Sequence, residues 1–174
     1  MIRDLLPLPI APADALAQII DPGMFRLPEQ MDSPAARVML LAIALQESGL
    51  KARAQAGGGP ARGLWQFELS GGCDGVLRHR KTRDLARRLC AESGIDATPQ
   101  GLHWRIEHDD ILACQAARLL LWTDPAPLPA TLALNSYDAD GAWALYLRTW
   151  RPGRPRYEHW PAHYTTARAT VLSS

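Results

Sequence analysis

An uninterrupted apolar run, Val38–Leu45, dominates the sequence and limits the folds open to it. Ser33 and Pro34 precede the run as a good N-cap and a good first helical residue, and Gly49 follows it as a natural helix terminator. Together these signals predict a helix that starts at Pro34 and stops at Gly49. Because eight consecutive apolar residues leave no polar face, this helix should be the buried centre of the domain.

The remaining segments also favour helices, separated by loops rich in glycine and proline. Convincing alternating runs of β-branched residues are lacking, which leaves room only for a short β-hairpin near 60–72. The 174 residues are expected to form one mainly α domain over 1–174, with 1–30 as an N-terminal extension packed on it. Further helices are predicted at about 13–20, where Asp21-Pro-Gly23 should end the helix, and at 73–80, 83–92 (capped by Thr82), 108–122, 128–136, 140–150 and 158–171.

Composition excludes several classes of protein. With 47% hydrophobic and 21% charged residues, the chain is typical of a globular protein rather than a disordered one. No apolar run reaches the roughly 18–20 residues of a membrane span, so we expect no membrane insertion. The net charge of +1 provides no field that would attract nucleic acid. The odd set Cys73, Cys90 and Cys114 predicts buried small hydrophobic residues rather than a disulfide framework.

Glu47 is the most informative polar residue. It follows Ile43 by four positions and Leu40 by seven, so it continues the apolar stripe of the central helix. It also lies in the last helical turn, where the helix dipole disfavours a negative charge. Both effects raise the pKa of its carboxyl group, as a general acid for glycoside cleavage requires. The plainer alternative is an ordinary surface glutamate at a helix end.

Two segments around Glu47 carry a resemblance to a known family. The helix ends in Ala42-Ile-Ala-Leu-Gln-Glu-Ser-Gly-Leu50, and after a glycine-rich loop the chain continues with Ala61-Arg-Gly-Leu-Trp-Gln-Phe67. This order resembles soluble lytic transglycosylases and the related goose-type lysozymes, in which a helix ends in Glu-Ser and a Gly-Leu-Met-Gln segment lines the cleft opposite. Their third motif, Ala-Tyr-Asn, is similar to Ala133-Leu-Asn135 followed by Ser136-Tyr137, with Leu134 in place of the tyrosine.

The resemblance implies a lysozyme-like helical domain that binds peptidoglycan glycan strands without a metal or organic cofactor. Glu47 would act as acid and then as base, and Ser48 would support the site. Chemically, Gly63 would let the backbone approach a sugar closely, and Gln66 would hydrogen-bond to sugar groups. Trp65 would either stack on a sugar or fill the core. The implied substrate-binding residues are Ser48, Gly63, Leu64, Trp65, Gln66, Asn135 and Tyr137, the last as a nearby phenol.

The number of carboxylates bears on the reaction. A conventional glycosidase uses two, and the candidates for a second are Glu68, Asp74, Asp138 and Asp140. The resemblance to lytic transglycosylases implies that one suffices, because the 6-hydroxyl of the sugar attacks the anomeric carbon. With one strong carboxylate visible, we favour cleavage of the β-1,4 bond between N-acetylmuramic acid and N-acetylglucosamine to a 1,6-anhydro product. Muramidase-type hydrolysis of the same bond is the alternative.

Metal and thiol chemistry receive little support from the sequence. His103 and His108 are five positions apart, about 140° around a helix, whereas histidines that grip one zinc ion from a helix are four apart. The cysteines lack the neighbouring pattern of a thiol protease. We therefore expect neither a metal site nor a cofactor.

Aromatic and basic residues interleave towards the end of the chain. Two triplets follow the i, i+3, i+7 spacing of one helix face: Trp143, Tyr146 and Trp150, then Tyr157, Trp160 and Tyr164. Packing against the core is the plainer interpretation, and sugar platforms at a cleft edge are the alternative. The accompanying basic cluster indicates a solvated face or contact with the carboxylates of peptidoglycan stem peptides, rather than nucleic-acid binding. That cluster comprises Arg148, Arg151, Arg154 and Arg156.

The first residues contain no clear export signal. Within Met1–Ile10 and just after it, Pro7, Pro9 and Pro12 interrupt the only short apolar stretch. We therefore expect synthesis in the bacterial cytoplasm and action on the cell wall after release or as a component of a phage particle. The main rival from another class is a non-catalytic wall-binding or virion structural protein with a lysozyme-like scaffold.

Overall fold

The computed structural model describes residues 5–129 and 138–174. Within these ranges the chain forms α-helices with short π and 3-10 segments and no strand, which confirms the mainly α prediction. No helix in the described part is long and apolar enough to cross a bilayer. The α-helices are α1 (Pro12–Ala15), α2 (Asp21–Phe25), α3 (Pro34–Glu47), α4 (Asp74–Arg78), α5 (Arg83–Glu92), α6 (Pro99–Ile106), α7 (Asp110–Thr123), α8 (Ala139–Trp150) and α9 (Trp160–Leu172).

Helix α3 is the buried centre of the molecule, as its apolar run predicts. Its N-cap is Ser33, whose Oγ accepts a hydrogen bond from the Ala36 N–H at 3.1 Å. Every residue from 38 to 44 is fully buried. The helix packs mainly against α9, with further contacts to α7. At its end, Gly49 adopts a left-handed conformation and its N–H donates to the Leu45 carbonyl at 3.0 Å.

The N-terminal segment differs from its prediction. Asp21-Pro-Gly23 does not end the first helix; the chain passes from α1 through the π-helical segment Leu16–Ile20 directly into α2. Proline has no N–H to donate, and here the Asp21 N–H bonds to the Leu16 carbonyl in a widened turn just before Pro22. The proline therefore stands in the first turn of α2, where no donor is needed. Apolar residues of this segment, Leu16, Ile20 and Met24 among them, are part of the core.

The hairpin considered near 60–72 does not form. The described residues there make only isolated antiparallel bridges, from Arg62 to Ala54 and to Phe67. Gly63 and Gln66 both have positive φ, 72° and 49°, and they fold the intervening chain into a compact turn. Arg62 and Phe67 exchange both backbone hydrogen bonds across this turn, at 2.9 and 2.8 Å, but the bridges stay isolated and no strand forms in the described part of the chain. The stretch is therefore a tight loop beside the end of α3.

Helix α6 is not among the predicted elements. Thr98 caps it, since its Oγ1 accepts from the Gly101 N–H at 3.1 Å, and Pro99 occupies the first turn. The local signal is thus the same as that of Ser33-Pro34. Its buried face is short, with Leu102 and Ile106 as its apolar members, and so produces no extended apolar stripe.

The other predicted helices agree closely with the structure, apart from the one predicted near 128–136. Helices α5, α7, α8 and α9 lie within one or two residues of their expected bounds. Thr82 precedes α5, but its hydroxyl donates to the Val76 carbonyl at 2.8 Å instead of capping the helix. The helix predicted near 128–136 falls almost entirely on residues outside the described ranges.

Candidate active site

Glu47 lies in the wall of a groove of about 1100 Å³. The end of α3 supplies Gln46, Glu47 and Ser48 to this groove, and most of the remaining lining comes from the segment 52–75, from α8 and from the loop 151–156. The central helix thus ends at the groove, and its last residue places a carboxyl group there. A substrate in the groove can reach Glu47, while the apolar body of α3 holds that residue in place.

The electrostatic surroundings of Glu47 favour its protonated form. The pKa of its carboxyl group is raised from 4.5 to about 7, chiefly by burial; a hydrogen bond from Tyr146 partly opposes this rise, and the charge of Glu68 adds to it. The side chain is half-buried. A carboxylic acid of this kind carries its proton in a large fraction of molecules at neutral pH, and it can still lose that proton and regain it.

Tyr146 is the hydrogen-bond partner of Glu47 among the described residues, and it was not predicted in this role. Its phenolic O–H donates to Glu47 Oε1 at 2.6 Å. The buried ring packs against Trp143 and Trp160 at centroid distances of 5.1 and 5.3 Å, which fixes its position on α8. The aromatic triplet of α8 correctly predicts a packed face. The triplet contains one phenol, that of Tyr146, and this hydroxyl group was the only sign in the sequence that the packed face could also donate a hydrogen bond.

Ser48 connects the end of α3 to the turn at 63–66. Its Oγ lies 2.7 Å from the Leu64 carbonyl and 3.1 Å from the Ala44 carbonyl, and it accepts from the Leu50 N–H at 3.2 Å. These bonds engage the hydroxyl with the main chain. Ser48 therefore positions the loop beside Glu47, as a supporting role requires, and it also lines the groove.

Three residues expected to bind substrate are buried outside the groove. Gly63 packs against the Ile106 carbonyl, and Leu64 is completely buried in the core. Trp65 is 2% exposed, and its indole N–H donates to the Leu40 carbonyl of α3 at 2.9 Å. The backbone at Gly63 thus lies against the Ile106 carbonyl, Leu64 and Trp65 fill the core, and none of the three lines the groove.

Gln66 is the member of the turn that does reach the groove. Its left-handed backbone, with φ of 49°, directs the side chain away from the buried residues on either side. Its Nε2 donates to the Gly63 carbonyl at 2.9 Å, so the amide is held across the turn. Gln66 is therefore placed to present polar atoms to a ligand beside Glu47.

The third motif cannot be located relative to this site. Asn135 and Tyr137, together with Ala133 and Leu134, lie outside the described residues. Their assignment to substrate binding stays a prediction.

The four candidate second carboxylates fall into two groups. Glu68 and Asp74 line the groove, and Asp74 also bonds to Arg78 at 2.7 Å. Asp138 caps α8 by accepting from the Gly141 N–H at 2.8 Å, and Asp140 accepts a short hydrogen bond from Tyr157. Glu68 is exposed and its charge acts on Glu47. Glu68 is therefore the candidate with the clearest electrostatic connection to the acid.

The cysteine thiols and the two histidines weighed as metal ligands are held by contacts within the protein. Cys73, Cys90 and Cys114 are buried free thiols, as expected. The ring of His103 bonds to the Pro60 carbonyl at 2.7 Å and that of His108 to the Trp104 carbonyl at 3.0 Å. No group of three or more histidine, cysteine, aspartate or glutamate residues in the described ranges is arranged to hold a metal ion.

The chain matches no protein-family model, and it has no match among curated protein sequences or among solved structures. The lysozyme-like arrangement and the resemblance to lytic transglycosylases therefore stay predictions. A fold class does not specify an activity by itself. Function has to be inferred from the groove and from the chemistry of Glu47.

Proposed function

We propose that this protein cleaves the glycan strands of bacterial peptidoglycan at the β-1,4 bond between N-acetylmuramic acid and N-acetylglucosamine. Glu47 is the general acid and then the general base. The observation that carries the proposal is a carboxyl group with a pKa of about 7 in the wall of a groove, delivered there by the buried helix α3. That pKa suits a group that must donate and regain a proton near neutral pH.

The reaction follows from the position of this single acid. Glu47 donates its proton to the glycosidic oxygen as the bond to the anomeric carbon breaks, which releases the next sugar with a free hydroxyl. The 6-hydroxyl of the muramic acid residue attacks the anomeric carbon, and its proton passes to the Glu47 carboxylate. The products are a 1,6-anhydro sugar end, a sugar with a free hydroxyl and a regenerated acid, so no water is consumed.

Hydrolysis is the second candidate, and the position of Glu68 favours it. This carboxylate lines the same groove and raises the pKa of Glu47 through its charge. A second carboxylate across a cleft can activate water, as in inverting glycosidases, or attack the anomeric carbon, as in retaining ones. The two candidates give different products, because the anhydro product contains one water fewer than the hydrolytic product.

The site of action belongs to the same proposal. We place the protein at the bacterial cell wall, which it reaches after release from the cytoplasm or as a component of a phage particle. The resemblance at Glu47 and the motif around Gln66 support this placement.

Replacing Glu47 with glutamine tests the activity. Glu47→Gln keeps the size of the side chain and an acceptor for Tyr146, but it removes the transferable proton. We expect the release of soluble fragments from purified sacculi to fall by at least about 100-fold, in line with the usual contribution of a general acid. Mass spectrometry of the wild-type products then distinguishes anhydro from hydrolytic ends.

Glu92→Gln is the matched control, because Glu92 is also the last residue of a helix but is exposed and lies outside the groove. It should keep wild-type activity. Full activity of Glu47→Gln would contradict the proposal. Binding of sacculi by the wild-type protein without release of any fragment would also contradict it, and would indicate a wall-binding scaffold.

A further inference from the structure

We infer that the loop 151–156 binds the carboxylates of the peptide stems carried by the glycan strand. The groups responsible are the guanidinium groups of Arg151, Arg154 and Arg156. This inference rests on the proposed function and names a part of the substrate that the acid itself does not touch. Its consequence is that the protein should prefer strands that still carry their peptides.

The first observation is the location of the three arginines. All of them are exposed, and all of them line the groove that contains Glu47. The loop is thus a basic part of the groove lining. The segment 52–75 contributes the carboxylates of Glu68 and Asp74 to the same groove, and neither carboxylate lies within ion-pair distance of these arginines.

The second observation is that these three charges have no carboxylate partner within ion-pair distance among the described residues. Most other arginines of the described ranges do have one. In the same region, Arg148 binds Asp124 at 2.9 Å and so is already neutralised. The loop therefore retains positive charge that an anionic ligand can bind. The paired arginines are Arg37, Arg53, Arg62, Arg78, Arg83, Arg87, Arg88, Arg105 and Arg148.

The third observation is that the loop is fixed close to the acid. Gln46, the neighbour of Glu47, donates from its Nε2 to the Arg156 carbonyl at 3.0 Å. At the other end, Arg151 terminates α8 with a left-handed backbone, φ 49°. Pro152 and Pro155 restrict the chain between them. The backbone that carries the three cations thus keeps a defined position relative to the groove, so binding does not have to order the loop itself.

The chemistry of the ligand follows from these groups. A guanidinium group presents a planar fork of donors that matches a carboxylate. The sugars of a peptide-bearing glycan strand are uncharged, because the lactyl carboxyl group of each muramic acid residue forms the amide bond to its peptide, and the peptide stems bear free carboxylates. Glu68, which also lines the groove and forms no ion pair with a described residue, repels such groups. A strand in the groove would therefore direct its peptides towards the loop 151–156.

Two triple variants test this inference. Arg151→Gln/Arg154→Gln/Arg156→Gln removes the charges of the loop, and Arg83→Gln/Arg87→Gln/Arg88→Gln removes three exposed charges from α5, outside the groove. For each protein, kcat/KM is measured on strands that carry stem peptides and on strands stripped of them by an amidase, with the lactyl carboxyl groups that the amidase frees capped as methyl amides. We expect the ratio of the two values to fall about tenfold in the loop variant, as three exposed ion pairs would allow. The α5 variant should keep the wild-type ratio, and an equal fall in both variants, or none in the loop variant, overturns the inference.

A binding measurement separates this inference from the proposed activity. Glu47→Gln is applied to immobilised glycan strands, either peptide-bearing or stripped and capped in the same way, with and without the loop substitutions, and the retained protein is measured. We expect greater retention on peptide-bearing strands, and loss of that difference in the loop variant. Wild-type protein that cleaves neither substrate contradicts the proposed function, while the retention difference still tests the arginines. Retention of duplex DNA that the loop variant loses would assign the loop to nucleic acid and overturn the inference.

Discussion

At the scale of single residues, the pair formed by Glu47 and Tyr146 controls the proposed chemistry. Burial keeps the carboxyl group protonated to about pH 7, and the phenol both orients it and moderates that effect. Burial of the acid raises its pKa and a hydrogen bond to its charged form lowers it. A change in either one should therefore shift the pKa of Glu47.

Tyr146→Phe tests this balance. The substitution keeps the ring in its aromatic cluster and removes the hydrogen bond that lowers the pKa of Glu47. The pKa should therefore rise above its present value of about 7. Because the acid must be protonated to act, the alkaline limb of the profile of kcat/KM against pH should move to higher pH.

Tyr164→Phe is the comparison variant, since Tyr164 is an equally buried phenol on α9 that does not line the groove. Its pH profile should match that of the wild-type protein. An unchanged alkaline limb in Tyr146→Phe would show that the phenol acts only in packing.

At the scale of elements, the turn at 63–66 places Gln66 in the groove. Ser48 holds it through the Leu64 carbonyl, and Trp65 anchors it in the core. The turn depends on Gly63, which has a φ of 72° and lies so close to α6 that an added Cβ would be 2.9 Å from the Ile106 carbonyl oxygen.

Gly63→Ala should therefore destabilise the protein for two reasons, backbone strain and a clash with main-chain atoms. We expect the free energy of unfolding, measured by urea denaturation, to fall by about 2–4 kcal/mol. Gly58→Ala separates the two effects, because Gly58 has a similar φ of 75° and open space around it. It should cost only about 1 kcal/mol. Equal losses in both variants would rule out the contact with Ile106 as a cause.

At the scale of the whole molecule, the site has a cost in stability. The pKa of Glu47 is 4.5 when unperturbed and about 7 in the folded protein, so the folded state holds this proton more tightly than the unfolded state. Its contribution to stability is greatest below the lower value and is lost as the pH rises to the higher one. Above about pH 7 the burial of the charged carboxylate costs about 3 kcal/mol.

Glu47→Gln should remove that cost. At about pH 8 the variant should exceed the wild-type protein in free energy of unfolding, by up to about 3 kcal/mol, whereas at about pH 4.5 the two should be nearly equal. Urea denaturation at both pH values measures the difference. Glu92→Gln should show no such pH dependence, and a Glu47→Gln protein that is less stable than wild type at the higher pH would contradict the raised pKa.

The helices were largely predictable because their signals are local. The apolar run of α3, its Ser33-Pro34 start and its Gly49 end all act within one element, and the structure follows them. Helix α6 was missed because its buried face is short. The fate of Asp21-Pro-Gly23 was missed because a π turn, which no local pattern announces, lets the helix continue.

The site was predictable only in part, because only some of its features depend on local sequence. The amino-acid pattern places Glu47 at the end of an apolar helix, and that placement alone is enough to expect a raised pKa. It could not show that Tyr146, 99 positions away, supplies the hydrogen bond. Nor could it show that Gly63, Leu64 and Trp65 turn inwards while Gln66 turns outwards. Which side chains face the groove depends on how distant helices pack around α3, and that packing is a property of the folded chain alone.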